Sequence, residues 1–597
     1  MCGITGFISS QVPNPIKIMN NMIGTLLHRG PDNTAVWNDL NGVNMAHSRL
    51  SIIDLSEFGN QPIFSKSGRY VMVFNGEIYN HKDLTKYLDH KYKDCGDTKI
   101  IMEIITKYGI NFCLNVIEGM FSIILLDKNQ HSIYLIRDRF GTKPLYIFKN
   151  NNQISLSSNI VSIQSCCDDK QIGKLTKLGE TFFLLFGFIY ISNELIKDIN
   201  EAPPGRLLKI DIDTFNITNI EIDINNDFYN QKNNWDKQVL DSYSSDVPLS
   251  LLLSGGVDST YLAFLARKYK VKNLETFTLR NDSGSNLEDV LNAKKISSIL
   301  RFKNTTINLN KTEIENIIDS YIRSMELPTD DGLNIYYATR KIFQNKIKVC
   351  LTGLGGDEFF GGYSSSDNSL IKLFLRNCFL WKYFPFVRNF ILKKGYGGYS
   401  KKNIVNPSSI DGYLYGKAFI FKNMPTKIVE KAINKFSDFL KLRLPDGFEK
   451  YTKKNKISLL ELHGYCIPQL VKDSDTFGMA NSVEVRPSLL VNSLFNKLIQ
   501  NKIFTLNKKG LKNKIDKDVS IFLNKKKNGF TVDIKDYIRN NLEKINSQIF
   551  KYEDNLKYKY VFDDLRVSIR NNKKLNLRIV YFIWRLYILS YWKSMAN

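Results

Sequence analysis

Only eight of the 597 residues are cysteine, at positions 2, 95, 113, 166, 167, 350, 378 and 466, and no two of them have the C-x-x-C spacing of a zinc site or redox pair. Isolated thiols in a reduced, cytoplasmic protein are the expectation. Long apolar runs are scarce as well. Phe182 to Ile191 and Val580 to Leu589 are the most apolar stretches, both short of the ~20 residues that span a bilayer, and Arg585 interrupts the second. Each reads as a buried helix or strand, so no membrane partner is expected. MCGITGF at the N-terminus lacks a basic leader followed by an apolar segment, which argues against a secretory signal. The chain has no G-x-x-x-x-G-K-[ST] phosphate loop and no fixed-period repeat of the solenoid kind.

Positive charge, by contrast, is abundant. Lys and Arg number 83 against 59 Asp and Glu, a net charge of +24. Residues 501–597 hold 22 Lys/Arg against 9 Asp/Glu and so carry +13 of that excess, with clusters at Lys525-Lys526-Lys527 and Lys573-Lys574. Charge runs of this kind read as solvated surface, and no nucleic-acid partner is expected from them. With 43% hydrophobic and 24% charged residues the chain can bury a large core, and its length excludes a single small module.

The first ~200 residues alternate short apolar runs with turn signals, at 70–80, 121–127, 132–148 and 153–158, which predicts antiparallel sheets. Helical periodicity between them, at 82–88 and 98–108, makes the region α+β. Pro203-Pro204-Gly205 marks a boundary turn, and the Asn-rich segment from Asp211 to Asn234 has the composition of a linker. Beyond it, strand–helix alternation predicts a parallel sheet with crossover helices: Pro248–Leu253 then Asp258–Tyr269, Leu274–Leu279 then Leu287–Leu300, and Lys348–Leu351 into a Gly-rich turn. From Asn368 onward the pattern is helical.

Cys2 directly follows Met1, so removal of that methionine would leave thiol and α-amine on one residue. An α-amine titrates near ~8 and can take the thiol proton at neutral pH. The thiolate then needs donors for an oxyanion, and Asn75-Gly76 offers an amide and a backbone N–H after a strand. Arg49 is a fork suited to a carboxylate, while Glu77 and Asp97 suit an ammonium group. His28 and His47 fall in the same region and read as structural.

Together MCGITGF, HRGPD (28–32), AHSRLSI (46–52), QP (61–62), NGEIYN (75–80), EGMFS (118–122) and RDRFGTKPLY (137–146) resemble the glutaminase domain of class II glutamine amidotransferases. The resemblance implies Cys2 as nucleophile, Asn75 and Gly76 as oxyanion hole, and Arg49, Asn75, Gly76, Glu77 and Asp97 as glutamine ligands. Lys99 departs from the acidic residue usual in the family after Asp97-Thr98.

LSLLLSGGVDST (249–260) reads as a buried strand, a Gly-Gly turn and a helix start, an arrangement whose N–H groups can close on an anion. VCLTGLGGDEFFGGY (349–363) repeats strand and Gly-rich turn with two carboxylates, Asp357 and Glu358. Loops at the ends of neighbouring parallel strands face each other, which places Asp258 and Asp357 to hold Mg²⁺ against phosphates. The first loop resembles that of ATP pyrophosphatases.

Both sites in this order, with GMANSVEVRP (478–487) and KKKNGFTVDIKDYI (525–538), resemble the glutamine-dependent asparagine synthetase family up to about residue 540. The implied fold is an α+β N-terminal nucleophile sandwich, two antiparallel sheets between helices, followed by an α/β parallel-sheet ATP-pyrophosphatase domain with a helical C-terminal part. The implied divisions are a glutaminase domain at 2–205, a linker at 206–234, a synthetase domain at 235–545 and a basic helical extension at 546–597. By the same resemblance Leu252, Ser254, Gly255, Gly256, Asp258, Ser259, Leu279 and Gly353 contact ATP, Lys512 meets pyrophosphate, and Asp258 and Asp357 hold Mg²⁺. Glutamine hydrolysis would feed ammonia through an internal tunnel to an acyl-adenylate. The implied partners are glutamine and aspartate or another carboxylate, with a homodimer open.

On the acceptor side the chain departs from the family. Leu354 stands where the best-studied members carry Glu, Lys472 and Ser474 replace Arg and Asp, and EVRPSLL (484–490) lacks a terminal acid. Aspartate is the expected acceptor, and the alternative is another carboxylate such as a uronic acid of a surface polysaccharide.

Overall fold

The computed structural model describes residues 2–9, 14–39, 42–92, 94–220, 235–281, 286–362, 408–421, 423–500, 507–523, 534–571 and 576–595. Two six-stranded antiparallel sheets build the N-terminal part. In chain order the strands are β1 (Gly3–Ile8), β2 (Asn33–Asn38), β3 (Val43–Arg49), β4 (Ile63–Phe64), β5 (Tyr70–Ile78), β6 (Gly119–Asp127), β7 (Ser132–Arg137), β8 (Tyr146–Lys149), β9 (Ile154–Ser157), β10 (Asn200–Glu201), β11 (Leu207–Asp211) and β12 (Ile217–Ile220). One sheet runs β10-β8-β9-β1-β3-β2, the other β12-β11-β7-β6-β5-β4.

Strand β5 explains the layering. Its alternate residues Val71 and Val73 enter the core between the sheets, beside Ile4, Met45 and Leu156. Met72 and Phe74 point the other way, against Ile100, Ile101 and Ile104 of the helix Asp97–Tyr108. Both faces are therefore dry, so the strand reads as a continuous apolar run. On the outer face of the other sheet Phe7 and Ala46 pack on Met19, Met22 and Ile23 of the helix Pro15–Gly24.

The expected linker starts too early. Residues 207–220 form a hairpin, β11 pairing with β7 and β12 with β11, which extends the second sheet. Leu208 and Ile210 join the inter-sheet core, and the Asp211 carboxylate closes the turn by accepting from the N and Oγ1 of Thr214 at 2.9 and 2.7 Å. Polar turn residues hid the alternation. Residues 221–234, the rest of that stretch, lie outside the described residues.

The second part is a five-stranded parallel sheet of β13 (Leu249–Leu252), β14 (Leu274–Asn281), β15 (Asn304–Leu309), β16 (Val349–Thr352) and β17 (Glu484–Pro487), ordered β15-β14-β13-β16-β17. Crossover helices Val257–Lys268 and Leu287–Ile299 follow β13 and β14. β17 breaks the expected all-helical C-terminal region. Its charged residues and terminal Pro487 suit an edge strand, and the charges are buried but paired, Arg486 Nε bonding Glu484 at 2.6 Å.

The two apolar stretches are buried as expected, one ending the helix Lys177–Phe186 and the other inside the helix Leu577–Met595. Among the described residues no helix is long and apolar enough to cross a membrane. Lys525-Lys526-Lys527 and Lys573-Lys574 lie outside the described residues.

Candidate functional site

Cys2 precedes β1, and its nitrogen donates to Oδ1 of Asn75 on β5 of the facing sheet at 3.0 Å. Among the described residues the buried Nδ2 of Asn75 has no hydrogen-bond partner, so an amide donor beside the thiol is left for a guest oxygen. Gly76 follows with φ +147°, and a Cβ there would sit 2.0 Å from the carbonyl oxygen of Met120. Only glycine lets β5 pass β6 at this point. Burial pushes the Cys2 thiol up, so it needs a base to ionise.

Cys2, Arg49, Gly76, Glu77, Asp97 and Lys99 line one small cavity of about 30 Å³. The residues expected to bind glutamine therefore converge. Arg49 Nη1 donates to Ser56 O at 2.7 Å and to Asn60 Oδ1 at 2.8 Å, so the loop after β3 wraps the guanidinium. Asp97 accepts from the N–H groups of Ile78 and Thr98 at 2.9 and 2.7 Å. Burial, with Glu484 and Asp97 nearby, raises the Glu77 carboxyl well above its ordinary range. Arg486 sits 2.6 Å from Glu484 and 3.7 Å from Glu77, and with the chain's N-terminal amine nearby it holds the Glu484 carboxyl down to about 2. An acidic pocket of this kind suits an ammonium group. His28 and His47 are lowered to about 4 and about 3, in each case chiefly by burial, so both stay neutral at physiological pH.

The second site lies at the carboxyl ends of β13 and β16. After β13 the chain turns at Ser254-Gly255-Gly256, where Ser254 N donates to Ser259 Oγ at 3.1 Å and the two hydroxyls meet at 3.0 Å. Gly255 has φ +74°, and a Cβ there would lie 2.5 Å from Asp289 O. The loop after β16 presses on this turn: a Cβ on Gly356 would meet the Asp258 carboxyl at 2.5 Å, and one on Gly353 the Asp258 Cβ at 3.0 Å. Asp258 and Asp357 are thus brought together as expected. Lys508 joins them. Its Nζ bonds both oxygens of Asp258 and lies 2.8 Å from Asp357 Oδ1. The expected lysine was Lys512, which lies at the other end of the same short helix, Lys508–Lys512. Sequence offered no signal for Lys508, because lysine is dense throughout that segment.

A cavity of about 640 Å³ opens from this turn. Leu252, Ser254 and Leu279 line the part of it beside the turn. Asp330, Asp331, Lys417, Gln469 and Arg585 line the other end, and sequence reasoning named none of these as site residues. Leu354 is an apolar part of the wall. Lys472 and Ser474 are not in it: Lys472 borders a separate cavity of about 40 Å³, and Ser474 Oγ donates to Leu470 O at 2.7 Å. Buried ion pairs bind the two parts together, Arg29 Nη2 to Asp475 at 2.8 Å and Lys143 to Asp475 at 3.4 Å.

Comparison with known proteins agrees with this layout. Residues 1–220 match a glutamine amidotransferase domain model and residues 235–568 an asparagine synthase model. Asparagine synthetase [glutamine-hydrolyzing] 1 of Bacillus subtilis (strain 168) is 26% identical, the alignment covering 98% of this chain and 96% of the relative. Asparagine synthetase [glutamine-hydrolyzing] 2 of the same organism is 29% identical over 61% of this chain and 53% of its own length. Amidase chry2 of Gibberella zeae is 25% identical over 61% of this chain and 60% of its own. A glutaminase-type sandwich leading into a parallel-sheet unit with facing Gly-rich loops, and a family model that spans most of that second unit, together make this chain a member of the asparagine synthase family.

Proposed function

We propose that this protein is a glutamine-dependent asparagine synthetase that activates aspartate with ATP and aminates it with ammonia from glutamine. The observation carrying the reading is the pairing, in one chain, of the Cys2–Asn75 pocket with a cavity that has the SGG turn at one end and room for an acceptor at the other.

At the first site the α-amine exposed by removal of Met1 takes the Cys2 proton, and sulfur attacks the side-chain carbonyl of glutamine. Asn75 Nδ2 and the Gly76 N–H stabilise the oxyanion, Arg49 holds the carboxylate, and Glu77 and Asp97 hold the ammonium. Ammonia leaves, and water releases glutamate from the thioester. At the second site the acceptor carboxylate attacks the α-phosphorus of ATP and pyrophosphate departs. Ammonia then attacks the acyl carbon and AMP departs. The SGG turn and Ser259 hydroxyl bind and orient the phosphates.

Asp258 and Asp357 would hold Mg²⁺. The Lys508 ammonium between them is a stand-in for a cation, so the donor set fits. Bound there, the ion supplies charge neutralisation for the phosphates.

The test is purified protein with glutamine, Mg-ATP and aspartate, following asparagine and pyrophosphate. Equal yields of the two support the reading. Glutamate formation without asparagine overturns it in favour of a second reading, the same chemistry on another carboxylate such as a uronic acid. Leu354 in the acceptor wall is the observation that favours that alternative.

A further inference from the structure

The acceptor end of the 640 Å³ cavity is acidic, yet in any form of the reading above its guest is an anion. Asp330 and Asp331 line it. Asp473 stands close behind, its Oδ2 accepting from Thr329 at 2.8 Å. A carboxylate brought next to uncompensated carboxylates is repelled strongly where water is excluded.

Lys417 on the same wall is engaged by Glu461 at 2.8 Å, and the charge that meets Asp330 comes from the far end of the chain. Arg585 is 5% exposed in the helix Leu577–Met595, past the last residue matched by the family model. Its Nε donates to Asp330 Oδ2 at 2.7 Å. Nη1 donates to Leu184 O and Leu185 O, both at 2.9 Å, in the last turn of the helix Lys177–Phe186, where a cation also meets the negative helix end. The guanidinium lies 4.3 Å from the ring centre of Phe419. Gln469 completes the arrangement, with Nε2 3.0 Å from Asp330 Oδ1. Both oxygens of Asp330 are thereby held, and Asp330 N donates to Gly187 O at 2.8 Å. A charge inside an otherwise apolar stretch is thus explained by neither solvent nor packing alone.

We propose that Arg585 is a positioning residue of the acceptor site, which neutralises and fixes Asp330 so that the acidic wall admits a carboxylate. The C-terminal helix is on this view a working part of the synthetase site. The inference rests on the reading that this cavity takes a carboxylate acceptor.

Steady-state kinetics on the full chain tests it, with ammonia as nitrogen source and pyrophosphate release as readout. In Arg585→Met the KM for acceptor rises about tenfold while kcat and the KM for ATP change little. Arg585→Lys, which keeps the charge beside Asp330 but not the fork, recovers part of that loss. The decisive variant is the double Arg585→Met/Asp330→Asn, in which both charges are gone and the acceptor KM falls back toward that of Asp330→Asn alone. An unchanged acceptor KM in Arg585→Met, or a double variant worse than both singles, overturns the proposal. If Arg585→Met does not fold, the comparison of Arg585→Lys with Asp330→Asn decides in the same way. Failure of the underlying reading looks different, since the wild-type protein would then release no pyrophosphate with any carboxylate tested.

Discussion

The nitrogen of Cys2 donates to Oδ1 of Asn75 at 3.0 Å, and this one bond orients the whole amide. It fixes Nδ2 as the donor left over, buried and without a partner among the described residues. The side chain that positions the nucleophile is thus also the one that awaits the oxyanion.

Asn75→Ala should lower the kcat of glutamine hydrolysis by roughly 10²- to 10³-fold, the usual cost of one oxyanion donor. Cys2→Ala should abolish it. In both variants ammonia-dependent amide synthesis should persist, as followed by pyrophosphate release with ammonium in place of glutamine. Equal loss of both activities would contradict two separate sites.

Lys508 holds Asp258 and Asp357 together through charge-assisted bonds. Lys508→Met should lower ATP-dependent pyrophosphate release by about tenfold or more, because the two carboxylates then repel until a cation arrives. The same variant should need less Mg²⁺ for half-maximal rate, because no ammonium then competes for the place between the two carboxylates. Glutaminase activity should be that of the wild type. A matching experiment on Lys512→Met separates the two lysines: a larger effect there would support Lys512 as the pyrophosphate ligand.

Gly356→Ala places a methyl 2.5 Å from the Asp258 carboxyl carbon. The loop or the carboxylate must move, so ATP turnover should fall at least about tenfold with little change in glutamine hydrolysis. Parallel assays of the two half-reactions check it.

Much of this was legible in the sequence, and what was missed follows a pattern. Cys2, Arg49, Asn75, Gly76, Glu77 and Asp97 could be named because each lies in a local motif whose residue types suit one chemistry, and the fold brings them together. Asp258 and Asp357 were legible because each follows a strand by one Gly-rich turn, and parallel neighbours present such loops on the same side. Lys508 and Arg585 were not, because they reach their sites from distant helices and no local pattern distinguishes them. β17 was hidden for another reason: buried charged pairs such as Glu484–Arg486 make a strand look like surface. The hairpin at 207–220 was masked by its asparagine and aspartate content.

Glu326 gives a pH signature. It is buried, accepts from Asn159 Nδ2 at 2.9 Å and lies 3.9 Å from Arg29, and burial raises its carboxyl to about 7 from an ordinary 4.5. A raised carboxyl contributes stability fully below pH 4.5, and that contribution is lost as pH climbs through about 7. The loss amounts to roughly 3 kcal/mol. Glu326→Gln should remove this slope, so its Tm relative to wild type rises between pH 4.5 and 7 and levels off above. Parallel Tm–pH curves for the two proteins would refute it.

The edge position of β17 has a consequence for the order of assembly. Thr352 Oγ1 donates to Arg486 O at 3.2 Å across a sequence separation of 134 residues. Every strand of the N-terminal sandwich lies within the first 220 residues. During synthesis the sandwich can therefore close early, while the parallel sheet waits for its last strand until most of the chain has left the ribosome. Glu484 and Arg486 then arrive together behind Glu77 of the Cys2 pocket, so the late strand that completes the parallel sheet is also the one that finishes the charge balance around Glu77.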